Sequence, residues 1–264
     1  MKPPSSARLI RGHRLAQGLV GCWLMNEGGE STQVFDLSEN GNHGVPSNTV
    51  WTWTFGKYGS AIKVVETGAA IAVGSRCLAT FTHYTIESRV KLTALVDYNG
   101  IYKRSQSYTT SGTTNIEVFV NSGGRIYVYH DRGGSANIGY TGINAVAAGV
   151  STHIVVTWNG SVWAFYVNGV LISHSISGTP VNPPTGQPSF ICHGASNDSL
   201  HGDCEWMRIY DNAKTASEIA LLHREPFCMV ERKARTALMS GYAVPLVGNA
   251  GIMTTNTGFW GPTF

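Results

Sequence analysis

Residues 152–175, THIVVTWNGSVWAFYVNGVLISHS, write two β-hairpins in a row. Asn159-Gly160 and Asn168-Gly169 each separate runs rich in β-branched and aromatic residues, and Asn-Gly supplies the two positive-φ positions of a type I′ turn. Three antiparallel strands are expected. In the first, Ile154, Val156 and Trp158 share one face and His153, Val155 and Thr157 the other, as the two-residue period of a strand requires. Apolar groups in both files predict an interior strand of a packed sandwich.

Outward from this stretch, residues 18–24, 56–64, 84–92, 100–103, 115–120, 125–130, 187–193 and 205–210 also read as strands, separated by turn-rich segments. One helix is predicted after them. Residues 215–218, TASE, have the spacing of a capping box, Ile219, Leu222 and His223 then face the body, and Pro226 stops the helix. With 264 residues, 42% hydrophobic, 31 glycines and only 13% charged residues, the chain suits many short strands and tight turns in one main domain.

The net charge of +3 is unevenly spread: residues 1–15 carry +4, residues 16–224 carry −2 and residues 225–264 carry +1. This divides the chain into a basic N-terminal arm (1–15), a body (16–224) and a C-terminal extension (225–264). The arm, with Arg8, Arg11 and Arg14, either meets an acidic neighbour or is a solvated terminus; specific nucleic-acid binding is not expected. No apolar run approaches the roughly 20 residues that cross a bilayer. The start lacks the apolar segment of a secretory signal, so synthesis and retention in the cytosol are expected. Five cysteines leave at least one unpaired and predict reduced, buried thiols.

Three segments together resemble the laminin-G-like, pentraxin-type branch of the concanavalin A-like lectin/glucanase superfamily. They are residues 18–28 with 36–44, residues 153–158 with 165–171, and residues 202–210 with 215–222. The resemblance spans residues 16–224 and implies an all-β, two-sheet antiparallel jelly-roll sandwich with one short C-terminal helix. Residues 223–229 are similar to extensions on such domains in phage-encoded structural proteins. That likeness implies a non-enzymatic, virion-associated structural or adhesion protein, assembled in the host cytoplasm. Its partners would be other virion proteins or further copies of itself. The alternative is a secreted or cell-surface carbohydrate-binding module acting on a host-surface glycan.

Hydrolases of the superfamily present Glu-x-Asp-x-x-Glu on one strand, which this chain lacks; Asp203 and Glu205 are its only acids two apart, and a structural role is expected for them. No catalytic residues are assigned. Many relatives hold calcium between an early Asp/Asn-rich loop and an acid of the last strand, and the matching positions are Asp36, Asn42 and Glu205. Cys192, His193, His201 and Cys204 depart from zinc-finger spacing, and Cys192 with Cys204 could pair instead. Trp51 and Trp53, two apart, share a face if extended and offer a platform to a sugar or a partner. Phe259 and Trp260 in the tail, with the arm arginines, are the residues expected to dock on a neighbouring subunit. Tyr98, Tyr102, Tyr108, Tyr127 and Tyr129 enrich the middle of the chain, and the sequence alone assigns them to no face.

Overall fold

The computed structural model describes residues 1–231 except 30, 47–50, 65–67, 75–81, 106–113, 131–136, 179–186 and 194–198. The chain divides into two units, Met1–Lys233 and Ala234–Phe264. The second, which holds Phe259 and Trp260, lies outside the described residues, as does Tyr108.

In chain order the strands are β1 (Arg8–Leu9), β2 (Leu19–Trp23), β3 (Val45–Pro46), β4 (Trp51–Gly56), β5 (Gly59–Val64) and β6 (Ile71–Ala72). Then come β7 (Tyr84–Leu92), β8 (Asn99–Ser105), β9 (Thr114–Val120), β10 (Ile126–His130), β11 (Asn137–Thr141) and β12 (Ser151–Trp158). The chain continues through β13 (Trp163–Val167), β14 (Val170–Ile172), β15 (His174–Ser177), β16 (Ser189–Ile191), β17 (Gly202–Tyr210), the helix α1 (Ala216–Arg224) and β18 (Val230–Glu231). Sheet I has the order β14-β13-β12-β7-β17-β5-β4, with β2 also paired to β17; sheet II has the order β15-β11-β10-β9-β8-β16-β6-β3. This is the all-β, two-sheet antiparallel jelly-roll sandwich with one C-terminal helix.

Alternation builds the core. Ile86, Val90, Ile154, Val156, Trp158, Met207 and Ile209 of sheet I meet Ile116, Val118, Val120, Ile126, Val128 and Ile191 of sheet II in one buried cluster. Each fully buried aliphatic side chain contributes about 1.5–3 kcal/mol relative to exposure. Within it Tyr84 Oη and His130 Nε2 lie 2.6 Å apart, and the Trp163 indole N–H donates to Tyr84 Oη at 3.0 Å. The phenol is therefore buried with partners.

The two hairpins differ. At the second, Asn168 (φ 51°) and Gly169 (φ 81°) are both left-handed, as a type I′ turn requires. At the first only Gly160 (φ 90°) is, because β12 and β13 are separated by four residues and Asn159 Oδ1 accepts from the amides of Ser161 and Val162. The Asn159 side chain thus organises a longer loop in place of the expected two-residue turn.

The N-terminal arm, expected to reach a neighbouring subunit, lies on its own domain. β1 pairs with β18 (Arg8 opposite Glu231), and the Lys2 ammonium donates to the carbonyls of Met25, Ser60 and Glu205. Burial pushes Lys2 down to about 8 against the attraction of Glu205. Arg8, Arg11 and Arg14 remain exposed, and Arg11 meets Glu39 at 3.7 Å. Leu15, Leu222, Phe227 and Met229 close with the arm over Trp206 and Tyr210 on the outer face of sheet I. α1 starts at its capping box, with Thr215 N–H donating to Glu218 Oε2 at 2.9 Å, and turns Ile219 and Leu222 inward. His223 stacks on His153, with ring centroids 5.4 Å apart.

Beneath this cover lies a buried ionic cluster. Glu87 Oε1 accepts from Arg208 Nη1 at 2.7 Å and Trp206 Nε1 at 3.2 Å and lies 3.1 Å from His153 Nε2; Oε2 accepts from Tyr210 Oη at 3.3 Å. Burial alone would raise the Glu87 carboxyl, but Arg208 and His153 outweigh it and hold it down at about 2. Removing one partner from such a pair leaves an uncompensated buried charge, so Glu87→Gln should cost about 3–5 kcal/mol in urea unfolding. The depressed carboxyl contributes stability fully present above its unfolded value near 4.3 and lost as pH falls toward about 2. The wild-type midpoint should therefore drop steeply below pH ~4, and the variant should lose much of that dependence.

Candidate functional site

The outer face of sheet II carries a ladder of aromatic rings. β9, β10 and β11 place Phe119, Tyr127 and Tyr140 directly opposite one another, and Tyr129 follows two residues after Tyr127 on the same face. Phe119 and Tyr127 are 5.0 Å apart at 3°, Phe119 and Tyr129 5.3 Å at 7°, and Tyr127 and Tyr140 5.5 Å at 24°. Rings stacked this way spend their faces on each other and turn edges outward. Gly100 is the register partner of Phe119 on the other side, and the Tyr98 ring fills the room it leaves, 4.9 Å from Phe119. Tyr98 reaches there from a left-handed backbone (φ 63°), an unfavourable conformation for a bulky residue.

Asp97, Tyr98, Phe119, Asn121, Tyr127 and Tyr129 line a cleft of about 210 Å³. Its polar groups are fixed by the β9–β10 loop: Asp97 Oδ1 accepts from Ser122 Oγ (2.6 Å) and N (3.3 Å), and Asn121 Oδ1 accepts from the amides of Gly123 and Arg125, each at 3.0 Å. Asp97 Oδ2 and Asn121 Nδ2 make no hydrogen bond among the described residues. They add an acceptor and a donor to the tyrosine hydroxyls beside four aromatic rings, the convergence of apolar wall and few polar groups that marks a small-molecule site. A larger cavity of about 450 Å³ lies between Met1, Tyr58 and the segment after α1, where the charged Arg224 and Glu225 pair with each other at 3.1 Å.

Of the residues singled out in the sequence, Tyr98, Tyr127 and Tyr129 line the aromatic cleft, and the other described ones lie elsewhere. Trp51 and Trp53 do share a face of β4, in edge-to-face contact at 5.2 Å, but they are half-buried against the main core, with Trp53 Nε1 donating to Ser31 O. Tyr102 is buried in the core beside Ser189 Oγ. Asp203 sits between its register partners Lys63 and Lys91. Glu205 is the extra residue of a bulge in β17 and accepts from Ser151 Oγ (2.5 Å) and Tyr58 N (3.1 Å), 3.8 Å from Arg89 Nε.

The proposed calcium ligands do not fit a cation. Asp36 accepts four hydrogen bonds, from Cys22 N (2.9 Å), Ser38 N (2.8 Å), Ser38 Oγ (2.7 Å) and Asn42 N (3.0 Å), while the Asn42 side chain donates to Val20 O. Those donors occupy the lone pairs a hard ion would need, and Glu205 is engaged with Tyr58, Ser151 and Arg89. Among the described residues no group of three or more His, Cys, Asp or Glu side chains could hold a metal. Cys192 and Cys204 are free thiols that meet in the core between the sheets; the Cys204 contact and burial push Cys192 up. His193 turns instead to Ala69 O.

A two-sheet sandwich covered on one outer face, with an aromatic cleft on the other, defines a lectin-like class of domain. The family model for laminin-G-like domains matches residues 65–220, and the chain belongs to the concanavalin A-like lectin/glucanases superfamily. No curated protein matches it in sequence. Among solved structures it is similar to domain 4 of AbnA, a GH43 extracellular arabinanase from Geobacillus stearothermophilus, solved with arabinotriose (15% identity, 82% of this chain, 98% of that one, TM-score 0.58). It is also similar to the binding domain of Paraclostridial Mosquitocidal Protein 1 (17%, 81% and 54%, TM-score 0.58). Trypanosoma rangeli sialidase is a third (15%, 80% and 33%, TM-score 0.58), of which this chain spans about a third. At these identities the likeness is one of fold.

Because the Asp36 loop is closed by its own donors, its stability should not depend on calcium. The thermal midpoint is expected to stay within about 1 °C between excess chelator and millimolar Ca²⁺; stabilisation by mass action with the metal would contradict this reading.

Proposed function

We propose that this chain binds carbohydrate, without turning it over, through the cleft of Asp97, Tyr98, Phe119, Asn121, Tyr127 and Tyr129 on sheet II. One observation carries the reading: aromatic edges, Asp97 Oδ2 and Asn121 Nδ2 converge on an outer face that the described residues leave half-exposed, while they cover the centre of the opposite sheet. Amphipathic sugar rings suit such a wall, with C–H groups against aromatic carbon and hydroxyls toward Asp97 and Asn121. The fold neighbour solved with arabinotriose supports the same class of ligand. Binding without catalysis is supported by Asp203 and Glu205, whose carboxylates lie among lysine, arginine and backbone donors.

The proposal extends to a virion-borne adhesion protein, supported by the resemblance of residues 223–229 to phage-encoded structural proteins and by the exposed Arg8, Arg11 and Arg14 of the arm. In that setting the tail would attach the domain and the cleft would meet a host glycan.

A glycan array followed by calorimetry should find a sugar ligand whose affinity falls about tenfold or more in Tyr127→Ala and Tyr129→Ala and is unchanged in Trp51→Ala. An array without ligands, or binding indifferent to both tyrosines, would count against the cleft. Deleting residues 241–264 should leave a folded monomer with full sugar binding and abolish assembly in light scattering; unchanged assembly rejects the tail's docking role.

A further inference from the structure

We infer that the cleft accepts a single, uncharged sugar unit, held by a pair of neighbouring hydroxyls between Asp97 and Asn121, and excludes acidic sugars. This rests on the carbohydrate reading above and adds the ligand class. Its first ground is size: about 210 Å³ is below the roughly 300 Å³ at which pockets begin to take drug-sized ligands, so the enclosed contacts serve one ring.

The second ground is the state of the two polar residues. The β9–β10 loop uses one oxygen of Asp97 and the oxygen of Asn121, fixing both side chains and leaving a carboxylate oxygen that only accepts and an amide that only donates. Adjacent hydroxyls supply the matching pair, one donating to Asp97 Oδ2 and the other accepting from Asn121 Nδ2. Because these atoms are held by the loop, little ordering remains to be done when the sugar arrives.

The third ground is charge. Among the described residues, Asp97 is the only ionisable side chain besides tyrosine that lines the cleft. Two like charges brought into contact repel, and the more strongly the less water lies between them. A uronic or sialic carboxylate brought onto Asp97 therefore works against binding, whereas a neutral ring pays no such cost. Arg125 stands over Tyr140 at 5.9 Å, at the β11 side of the ladder.

Calorimetry on the full chain decides it, with methyl glycosides of neutral hexoses, the corresponding methyl hexuronides, and neutral oligosaccharides of two to six units. The neutral glycosides should bind at all chain lengths with little gain beyond one unit, and the uronides about tenfold or more weaker at low salt. Salt should narrow that gap without altering neutral binding, because exposed charges are screened. Asp97→Asn, which keeps the shape and the Ser122 contact, should bring the uronides close to the neutral sugars. Affinity climbing about tenfold with chain length, or uronide binding equal to neutral binding in the wild type, overturns the inference while leaving carbohydrate binding intact. No sugar binding at all, or binding untouched by Tyr129→Ala, overturns the cleft assignment itself.

Discussion

The carboxylate of Glu87 governs how this sandwich is built. It stands on the outer face of sheet I, where a lone charge would need water, yet it is fully buried among Arg208, Trp206, His153 and Tyr210. Such a group tolerates desolvation only with its partners in place and its cover closed. The cover is the N-terminal arm, α1 and the segment ending in β18, tied by the β1–β18 pair and by Lys2. Arg208 completes the tie by donating to Pro226 O, so the ion pair and the closing segment hold each other.

This arrangement assigns the two outer faces. The centre of sheet I is committed to the cover, and the apolar side chains there, Trp206, Phe227 and Met229, serve as a second core. Sheet II carries its own outward file, Phe119, Tyr127, Tyr129 and Tyr140, stacked across three strands and left half-open to solvent except at Phe119. Its rigidity comes from the ladder beneath it, since Ile126, Val128 and His130 alternate with the tyrosines and anchor β10 in the core. A binding surface placed on strands keeps its geometry better than one placed on loops. The two loop residues in the cleft, Asp97 and Asn121, are held by Ser122, Gly123 and Arg125.

Several features were legible in the chain before its folding. The strand over Tyr84–Leu92 and the helix after the Thr215 capping box coincide with the expected elements, because period-two patterning and capping act within a few residues. The bulge at Glu205 was not legible. It inserts a residue between Cys204 and Trp206, so the core file passes from Cys204 to Met207 and Ile209, a break that depends on pairing with β7. Trp51 and Trp53 illustrate the same gap: two apart, they share a face as expected, but which face met the core depended on where β4 joined the sheet.

What the sequence determined by itself was local. Alternation, Asn-Gly turns and a capped helix specify antiparallel strands with two apolar files, because each rests on interactions between near neighbours. What only the tertiary structure decided was which file faces water. Tyr102 and Tyr127 are indistinguishable as residues, yet the bulge at β8 sends one into the core while the register of β9, β10 and β11 lines the other up with Phe119 and Tyr140. The cleft also needs Asp97 and Asn121, 24 positions apart, brought together by the pairing of β8 with β9, in which Asn99 stands opposite Val120. Long-range pairing is set by the packing of the whole sandwich, and no local signal encodes it.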